Sequence, residues 1–528
     1  MPDSHPWYIT TPIYYVNDRP HIGHCFTTVL ADVMARYQRL LRGSADNVFF
    51  LTGTDEHADK VVTSAASRGH SPQEWADMNA QSFREAFEAM GCTHDDFIRT
   101  TEPRHKDKVP VYIQHLIDSG DIYKGEYTGW YDEGQEDYVP ENAAREADYK
   151  STISGRPLVK RTEPCYFFAL SKYQDRLLAH IDASPKFILP DSRQREVLGR
   201  IRLGLNDVPV SRPVTDDPAT QWGIRVPGDP AHRIYVWIDA LFNYFTAVDT
   251  PERKKFWPAR VHLIGKDILW FHAVIWPALL MALGEELPRT IFGHGWWISE
   301  GQKMSKSLGN FIDLERLKTY SDRYSLDALR WFLATQGPMS GADADFSHAR
   351  FIEVYNAELA NGIGNASSRV GNMIVKYFDG RVPEHKGAMS LDDYDWANIS
   401  ATHVRAAREH AELFNLAESL GQGIALVREV DGYINKTEPF RLAKRIDEPG
   451  ARERLGVILY HCAEALRVAS LILSPAMPNK MPDLWTNWGW SPAPGAGLPA
   501  LAEFGGEHSL RPGTQVRKGD ALFMRAEE

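Results

Sequence analysis

Two short clusters in this 528-residue chain carry side chains suited to phosphate chemistry. The first is His21-Ile22-Gly23-His24, two imidazoles three residues apart. On a helix that spacing puts both on one face. A helix N-terminus adds free N–H groups and a positive dipole end, which suit phosphate. Imidazoles there can donate to phosphate oxygens as charge grows in a transition state. Gly23 removes a side chain that would keep a nucleotide base from the backbone. The second cluster is Lys303-Met304-Ser305-Lys306-Ser307, with Gly301 before it and Gly309 after it. Two lysines on such a loop can close over a triphosphate and neutralise departing pyrophosphate. Each cluster alone is also an ordinary surface feature: a histidine pair at a helix start, a solvated basic turn.

The surrounding elements favour the chemical reading. Trp7–Val16 is aromatic and β-branched, as strands prefer. Asn17, Asp18 and Arg19 break it, and Pro20 suits a first helical position. Phe26, Val29, Leu30, Val33 and Tyr37 then recur at helical spacing, and Gly43 ends the run. A second buried strand at Asn47–Thr52 leads into GTDEH. This order opens a parallel α/β domain of Rossmann type, whose ligands bind at the carboxyl ends of the strands. Residues 119–205 are polar, acidic and aromatic and read as a small inserted unit on short strands. Strand signal returns at Arg233–Asp239, Val261–Ile264 and Thr290–Gly293, with helical runs at Ala240–Val248 and Ile268–Leu283. Beyond residue 351 the signal is helical, over Phe351–Phe378, Tyr394–Asp431 (broken) and Ala451–Leu473, before a Pro- and Gly-rich tail.

The expected organisation is therefore a parallel-sheet catalytic domain in two halves, 1–118 and 206–292, split by the insertion at 119–205. A lysine-loop region follows at 293–350, a helical bundle at 351–490, and a tail at 491–528 that packs back on the body, its last segment as a short strand. The net charge of −11 argues against wholesale nucleic-acid binding while allowing local basic grooves. The N-terminus lacks the basic start and apolar stretch of a signal peptide, and no membrane role is expected. Cys25, Cys92, Cys165 and Cys462 are scattered, without a CxxC pair, so reduced thiols are expected rather than disulfides or a zinc knuckle.

HIGH after the first strand and KMSKS after the last strand of a split nucleotide-binding fold together resemble class I aminoacyl-tRNA synthetases. YITTPIYYVNDRPHIGH, FLTGTDEH, YVWIDALFNY, LIGKDILWFHAVIWPALL and GHGWWISEGQKMSKSLGN together look like methionyl-tRNA synthetase, from about residue 7 to the end of the chain. The resemblance implies ATP with Mg²⁺ as substrate, methionine, and tRNA(Met) as partner, in a cytoplasmic enzyme, with a monomer as the simplest expectation. Catalytic roles fall on His21, His24, Lys303 and Lys306. ATP contacts fall on these and on Gly23, Gly265, Lys266, Asp267, His294, Gly295 and Ser305. Asp267 also suits the N-cap of the helix that follows it.

A thioether packs well against aromatic rings, so the amino-acid pocket should be aromatic with one carboxylate for the ammonium. The family places those roles on Ile13, Tyr15, Asp55, Trp237, Ala240, Leu241, Tyr244, His272 and Trp276. Asp55 would take the ammonium, and His272 and Trp276, four apart on a helix, could face one pocket. Many relatives carry Pro where Leu241 stands. Relatives that bind zinc in the insertion do so through GWYCxxCE; here GWYDEGQE puts Asp132 and Gln135 at the cysteine positions, so no structural zinc is expected. In the helical part, Asn365 and Arg369 would meet the anticodon, with Pro439-Phe440 in place of the usual Pro-Trp stacking pair. Homocysteine lacks one methyl, worth about 1–3 kcal/mol, so some editing of its adenylate is expected. Three rivals stand beside this reading: another class I synthetase such as the cysteine enzyme, a smaller HxGH nucleotidylyltransferase, and a non-catalytic tRNA-binding paralogue. Cysteine activation would need a Cys/His zinc pocket, and a nucleotidylyltransferase would need neither KMSKS nor the helical region.

Overall fold

The computed structural model describes residues 5–17, 19–132, 137–139, 141–152, 155–299, 301–302, 304, 310–387 and 389–527. Its central sheet has six parallel strands, in the order Asp96–Arg99, Val48–Asp55, Trp7–Tyr15, Val261–Gly265, Ile291–His294 and Ile188–Leu189. The order reverses between the first strand and Val261–Gly265, so the crevice of a doubly wound sheet opens at their carboxyl ends. Alternation along the first strand feeds two cores. Trp7 and Ile9 enter one apolar cluster and Tyr8 the other. The register shifts between Thr10 and Ile13, a bulge that aims the strand's last residues.

The first helix, Ile22–Arg42, starts at N-cap His21 and ends at Gly43 in the left-handed conformation. The insertion carries its own antiparallel sheet, Asp137–Val139, Ile122–Asp132, Val159–Phe168 and Val208–Pro209. The two sheets interleave in sequence, because Ile188–Leu189 returns to the central one before Val208–Pro209 joins the other. The expected strand at Arg233–Asp239 is cut short. Asp229–Ile234 is a strand in a separate three-stranded sheet, and the chain turns helical at Val236–Leu241. Its β-branched and aromatic residues suit either state, so the packed core decides.

Beyond residue 347 and before the tail the described chain is mainly helical, as the periodicity indicates, but Ser390–Leu391 and Tyr394–Asp395 pair as a short antiparallel ribbon, so the helix expected from Tyr394 begins at Trp396. His348–Val354, a π segment at Tyr355–Gly364 and Asn365–Tyr377 form one interrupted rod. Trp396–Glu412 and Leu416–Thr437 are separated by a break, and Ala451–Leu473 runs through the middle of the bundle. Among the described residues, Ala451–Leu473 is long and apolar enough to cross a membrane, and its apolar window is wholly buried in protein. The tail packs back, but its described residues make no strand. Gln515 forms an isolated bridge with Arg381, Tyr355 donates to the Met524 carbonyl at 2.6 Å, and Asn356 exchanges hydrogen bonds with Ala526.

Candidate active site

Four strand ends and the start of the first helix converge at the crevice. His21 caps that helix with its side chain: Nδ1 accepts the Gly23 N–H at 3.0 Å. His24 reciprocates, its Nδ1 accepting the His21 backbone N–H at 3.3 Å. The result is a capping box built from two imidazoles whose rings lie 3.8 Å apart. With both Nδ1 atoms used as acceptors, each neutral ring carries its proton on Nε2. Burial, reinforced by the neighbouring His21, pulls the His24 pKa well below its ordinary value, so this ring is neutral near pH 7. Edge contacts with Tyr14 and Phe83 fix it further. Gly23 has a more local reason than nucleotide access. A Cβ there would lie 2.9 Å from His21 Cε1 and break the cap.

The neighbouring strand ends complete this wall. Asp267 sits inside the 3₁₀ turn Lys266–Ile268, whose N-cap is Gly265; the expected N-cap role for Asp267 is therefore not what the chain uses. Its Oδ1 accepts the Trp296 indole N–H at 3.1 Å. Lys266 pairs with Asp343 at 2.5 Å and lies over the Trp296 ring. His294, at the end of its strand, donates from Nδ1 to the Gly295 carbonyl at 2.7 Å and meets the Thr27 hydroxyl at 2.8 Å through Nε2. Burial lowers its pKa to about 4. Gly295 is required because a Cβ would come within 2.3 Å of the Ala342 carbonyl oxygen. Met304 packs against the core, whereas Lys303, Ser305 and Lys306 lie outside the described residues.

A second pocket adjoins, lined by Ile13, Tyr15, Asp55, Trp237, Ala240, Leu241, Tyr244 and His272, eight of the nine expected residues, together with Pro12 and Ile268. The helix and turn after Tyr235 explain part of this grouping. Trp237, Ala240, Leu241 and Tyr244 have i, i+3, i+4, i+7 spacing and present one face. Tyr15 meets Trp237 edge-on at 5.9 Å, and Phe271, unsuspected from sequence, stacks on Trp237 at 4.2 Å. His272 donates from Nδ1 to the Ile268 carbonyl at 3.0 Å and accepts the Tyr244 hydroxyl at 2.7 Å through Nε2. Burial brings its pKa to about 4, so the ring is neutral. The cavity holds about 20 Å³, close to the room for a single water.

Trp276 is the exception. It is fully buried behind the pocket, donates to His262 Nε2 at 3.3 Å and packs edge-on against Phe242. The turn Phe271–Ile275 is π, closing i→i+5 hydrogen bonds, so α-helical spacing does not align 276 with 272 across it.

Asp55 is the chemical anomaly. It is 2% exposed, and its Oδ1 has no hydrogen-bond partner. Burial, then the nearby Asp239 charge, pushes its pKa well above the usual carboxylate range. Asp239 is held the other way. Burial would raise it, but His57 and His105 outweigh that and keep it ionised. His57 Nδ1 meets its Oδ2 at 2.5 Å and His105 Nε2 its Oδ1 at 2.8 Å.

In the helical part, Asn365 is exposed near the start of its helix, and Arg369 pairs with Asp431 at 3.4 Å. Glu438, left-handed at the end of Leu416–Thr437, turns the chain into Pro439, which is buried, and Phe440, which is 45% exposed. Nearby arginines are partly neutralised, Arg441 by Glu438 and Arg445 by Glu448. Among the described residues no group of three or more His, Cys, Asp or Glu could hold a metal ion; Gln135 lies outside them.

Comparison with known proteins gives one consistent result. The family model for class I tRNA synthetases (M) matches residues 7–147 and 144–371. The methionine–tRNA ligase of Caldanaerobacter subterraneus subsp. tengcongensis is 43% identical over 98% of this chain and 78% of its own length. That of Streptomyces coelicolor is 41% identical over 99% of this chain and 97% of its own. Among solved structures, Mycobacterium tuberculosis methionyl-tRNA synthetase in complex with methionyl-adenylate superposes with a TM-score of 0.86 at 34% identity, covering 98% of this chain and 99% of that one.

Proposed function

This chain belongs to the methionine–tRNA ligases among class I tRNA synthetases, and from that premise we propose which of its atoms carry the two steps of the reaction. It activates methionine with ATP as methionyl-adenylate, releasing pyrophosphate, and passes the methionyl group to tRNA. The observation that carries the assignment of atoms is the orphaned, buried Oδ1 of Asp55 beside an aromatic cleft. Asp55 receives the backbone N–H of His57 but has no cation beside it among the described residues, and a substrate ammonium supplies both a donor for Oδ1 and the missing charge. The thioether then lies among Tyr15, Trp237 and Tyr244, against the neutral ring of His272.

In the first step the methionine carboxylate attacks the α-phosphate of Mg·ATP in line, and the bond to the β-phosphate oxygen breaks. That carboxylate is already ionised near pH 7, so no general base is required. His21 and His24, with their protons on Nε2, donate to phosphate oxygens at the helix start. Asp267 and His294 hold the nucleoside end, with Gly265 and Gly295 giving close backbone approach. Lys266 acts from its pair with Asp343. Lys303 and Lys306 accompany the pyrophosphate, with Ser305 between them. In the second step the 2′-hydroxyl of the terminal ribose of tRNA(Met) attacks the methionyl carbonyl, as the class implies; the acyl–phosphate bond breaks, AMP leaves, and the hydroxyl proton departs with it. Phe440, on its Pro439 turn, offers a stacking face to the anticodon, and Asn365 and Arg369 offer its polar contacts. A monomer acting in the cytoplasm, where its substrates meet, is the simplest form of this reading. Asp132 and Gln135, at the positions where zinc-binding relatives carry cysteines, support an insertion that works without zinc.

Pyrophosphate exchange into ATP, run with each of the twenty amino acids, tests the assignment. Methionine alone should sustain rapid exchange, and its failure to do so overturns the reading. Lys306→Ala should slow exchange far more than it weakens methionine binding; equal rates in variant and wild type reject the lysine's role.

A further inference from the structure

Asp239 lies within the helix that supplies the aromatic wall, yet it points elsewhere. Trp237, Ala240 and Leu241 line the cleft, while Asp239, 1% exposed, is turned into the protein. There it accepts one imidazole N–H on each carboxylate oxygen. His57 stands two residues after Asp55, in the loop just past the end of that strand. His105 lies in the short helical turn Pro103–Lys106, just beyond the strand Asp96–Arg99. One carboxylate thus ties three segments together: the loop that aims the ammonium acceptor, the wall that receives the thioether, and the neighbouring strand end. Further bonds hold the imidazoles in turn. His105 Nδ1 meets the Thr246 hydroxyl at 2.9 Å, and the Trp222 ring packs edge-on against His57. The amino-acid reading gives this buried cluster no work of its own.

We propose that Asp239, clasped by His57 and His105, is a positioning residue that sets the separation between Asp55 and the Trp237 wall, and so matches the cleft to the length of methionine. This rests on the reading of Asp55 as the ammonium acceptor. An amino acid is measured in such a site between two fixed points, its ammonium and the tip of its side chain. A clasp between the elements carrying those points fixes the gauge length without touching substrate. Charge-assisted hydrogen bonds with both partners buried hold that length firmly. Loosening it should weaken binding in ground and transition states together, which raises KM and spares kcat.

The test is methionine- and ATP-dependent pyrophosphate exchange by purified full-length variants. Asp239→Asn should raise the KM for methionine about tenfold, the scale of one lost charged hydrogen bond, with kcat and the KM for ATP nearly unchanged. Its preference for methionine over norvaline, which is shorter, should fall. Rescue separates positioning from mere packing. An asparagine amide occupies the place of histidine Nδ1 and a glutamine amide that of Nε2. His57→Asn and His105→Gln should therefore stay near wild type, while His57→Leu and His105→Leu should behave like Asp239→Asn. These histidine pairs decide the matter even where Asp239→Asn folds poorly. Unchanged methionine KM and unchanged norvaline discrimination in the leucine variants would overturn the proposal. Asp55→Asn is the separate control: a normal methionine KM there would sink the ammonium reading itself, whereas a raised one, with the leucine variants unchanged, sinks only the clasp.

Discussion

Burial makes Asp55 a poor place for a negative charge until substrate arrives. A carboxyl whose folded pKa is raised costs stability at pH values above its ordinary pKa, because the folded state resists ionisation. Asp55→Asn should therefore raise Tm at pH 7 in differential scanning fluorimetry while the methionine KM climbs by a factor of about 100, the scale of a lost buried ion pair. A variant that loses both stability and affinity would contradict this. The neutral imidazole of His272 gives a pH expectation. With its pKa near 4, the ring does not titrate between pH 6 and 8, so the methionine KM of wild type and His272→Gln should share one pH profile there. Gly23→Ala should slow exchange at least about tenfold, since its methyl would meet the His21 ring and displace a phosphate donor. The sequence made these residues readable because motif spacing reports chemistry directly. It hid Phe271, whose part comes only from stacking on Trp237 across a gap of more than thirty residues.

At the level of elements, local pattern was legible and handover between elements was not. The first helix lies where its apolar repeat puts it, and the strand Val261–Gly265 and the helix Ala451–Leu473 lie where their nearly continuous apolar runs put them. Arg233–Asp239 reads as strand, yet only its first residues are strand. Ile234 and Val236 suit a sheet, but the chain must turn there to bring Trp237 and Ala240 onto one helical face. The π turn Phe271–Ile275 has no composition signature, so the alignment of Trp276 with His272 could not be corrected from sequence. Trp276→Phe should consequently cost stability through lost packing and its bond to His262, a fall of about 1–3 kcal/mol in urea unfolding. Methionine KM should shift less than threefold, which distinguishes a supporting ring from a contacting one.

Across the whole molecule, the catalytic and helical regions share one apolar cluster, running from Val29 and Leu30 in the first helix to Leu466 in the bundle. A buried ion pair fastens the seam. Arg330 donates to Asp32 Oδ2 at 2.6 Å, with both side chains fully buried, and reaches the Met90, Pro475 and Ala476 carbonyls. Arg330→Met should lower stability by about 3–5 kcal/mol, because Asp32 would lose its buried partner, and Arg330→Met with Asp32→Leu should recover part of it. Burial opposes ionisation of Asp32, but Arg330 and Arg36 prevail and hold its pKa below the ordinary value. This contribution is present above the unfolded pKa and fades as pH falls below about 4. Wild type should lose more unfolding free energy than Asp32→Asn on going from pH 5 to pH 3, and parallel losses would deny the linkage. No pattern in the sequence connects positions 32 and 330, since their meeting is a property of the closed fold. Asp32 also sits on the helix that begins with His21 and His24. Through Arg330, which also holds the Pro475 and Ala476 carbonyls, the helical bundle is tied to the same rod whose tip is the proposed ATP site. On the proposed docking of tRNA at Phe440 and of ATP at the rod's tip, the body would act as a caliper. A polynucleotide seated at one jaw would present its end at the other only when its own span agrees, so reach would add to base recognition in choosing the partner.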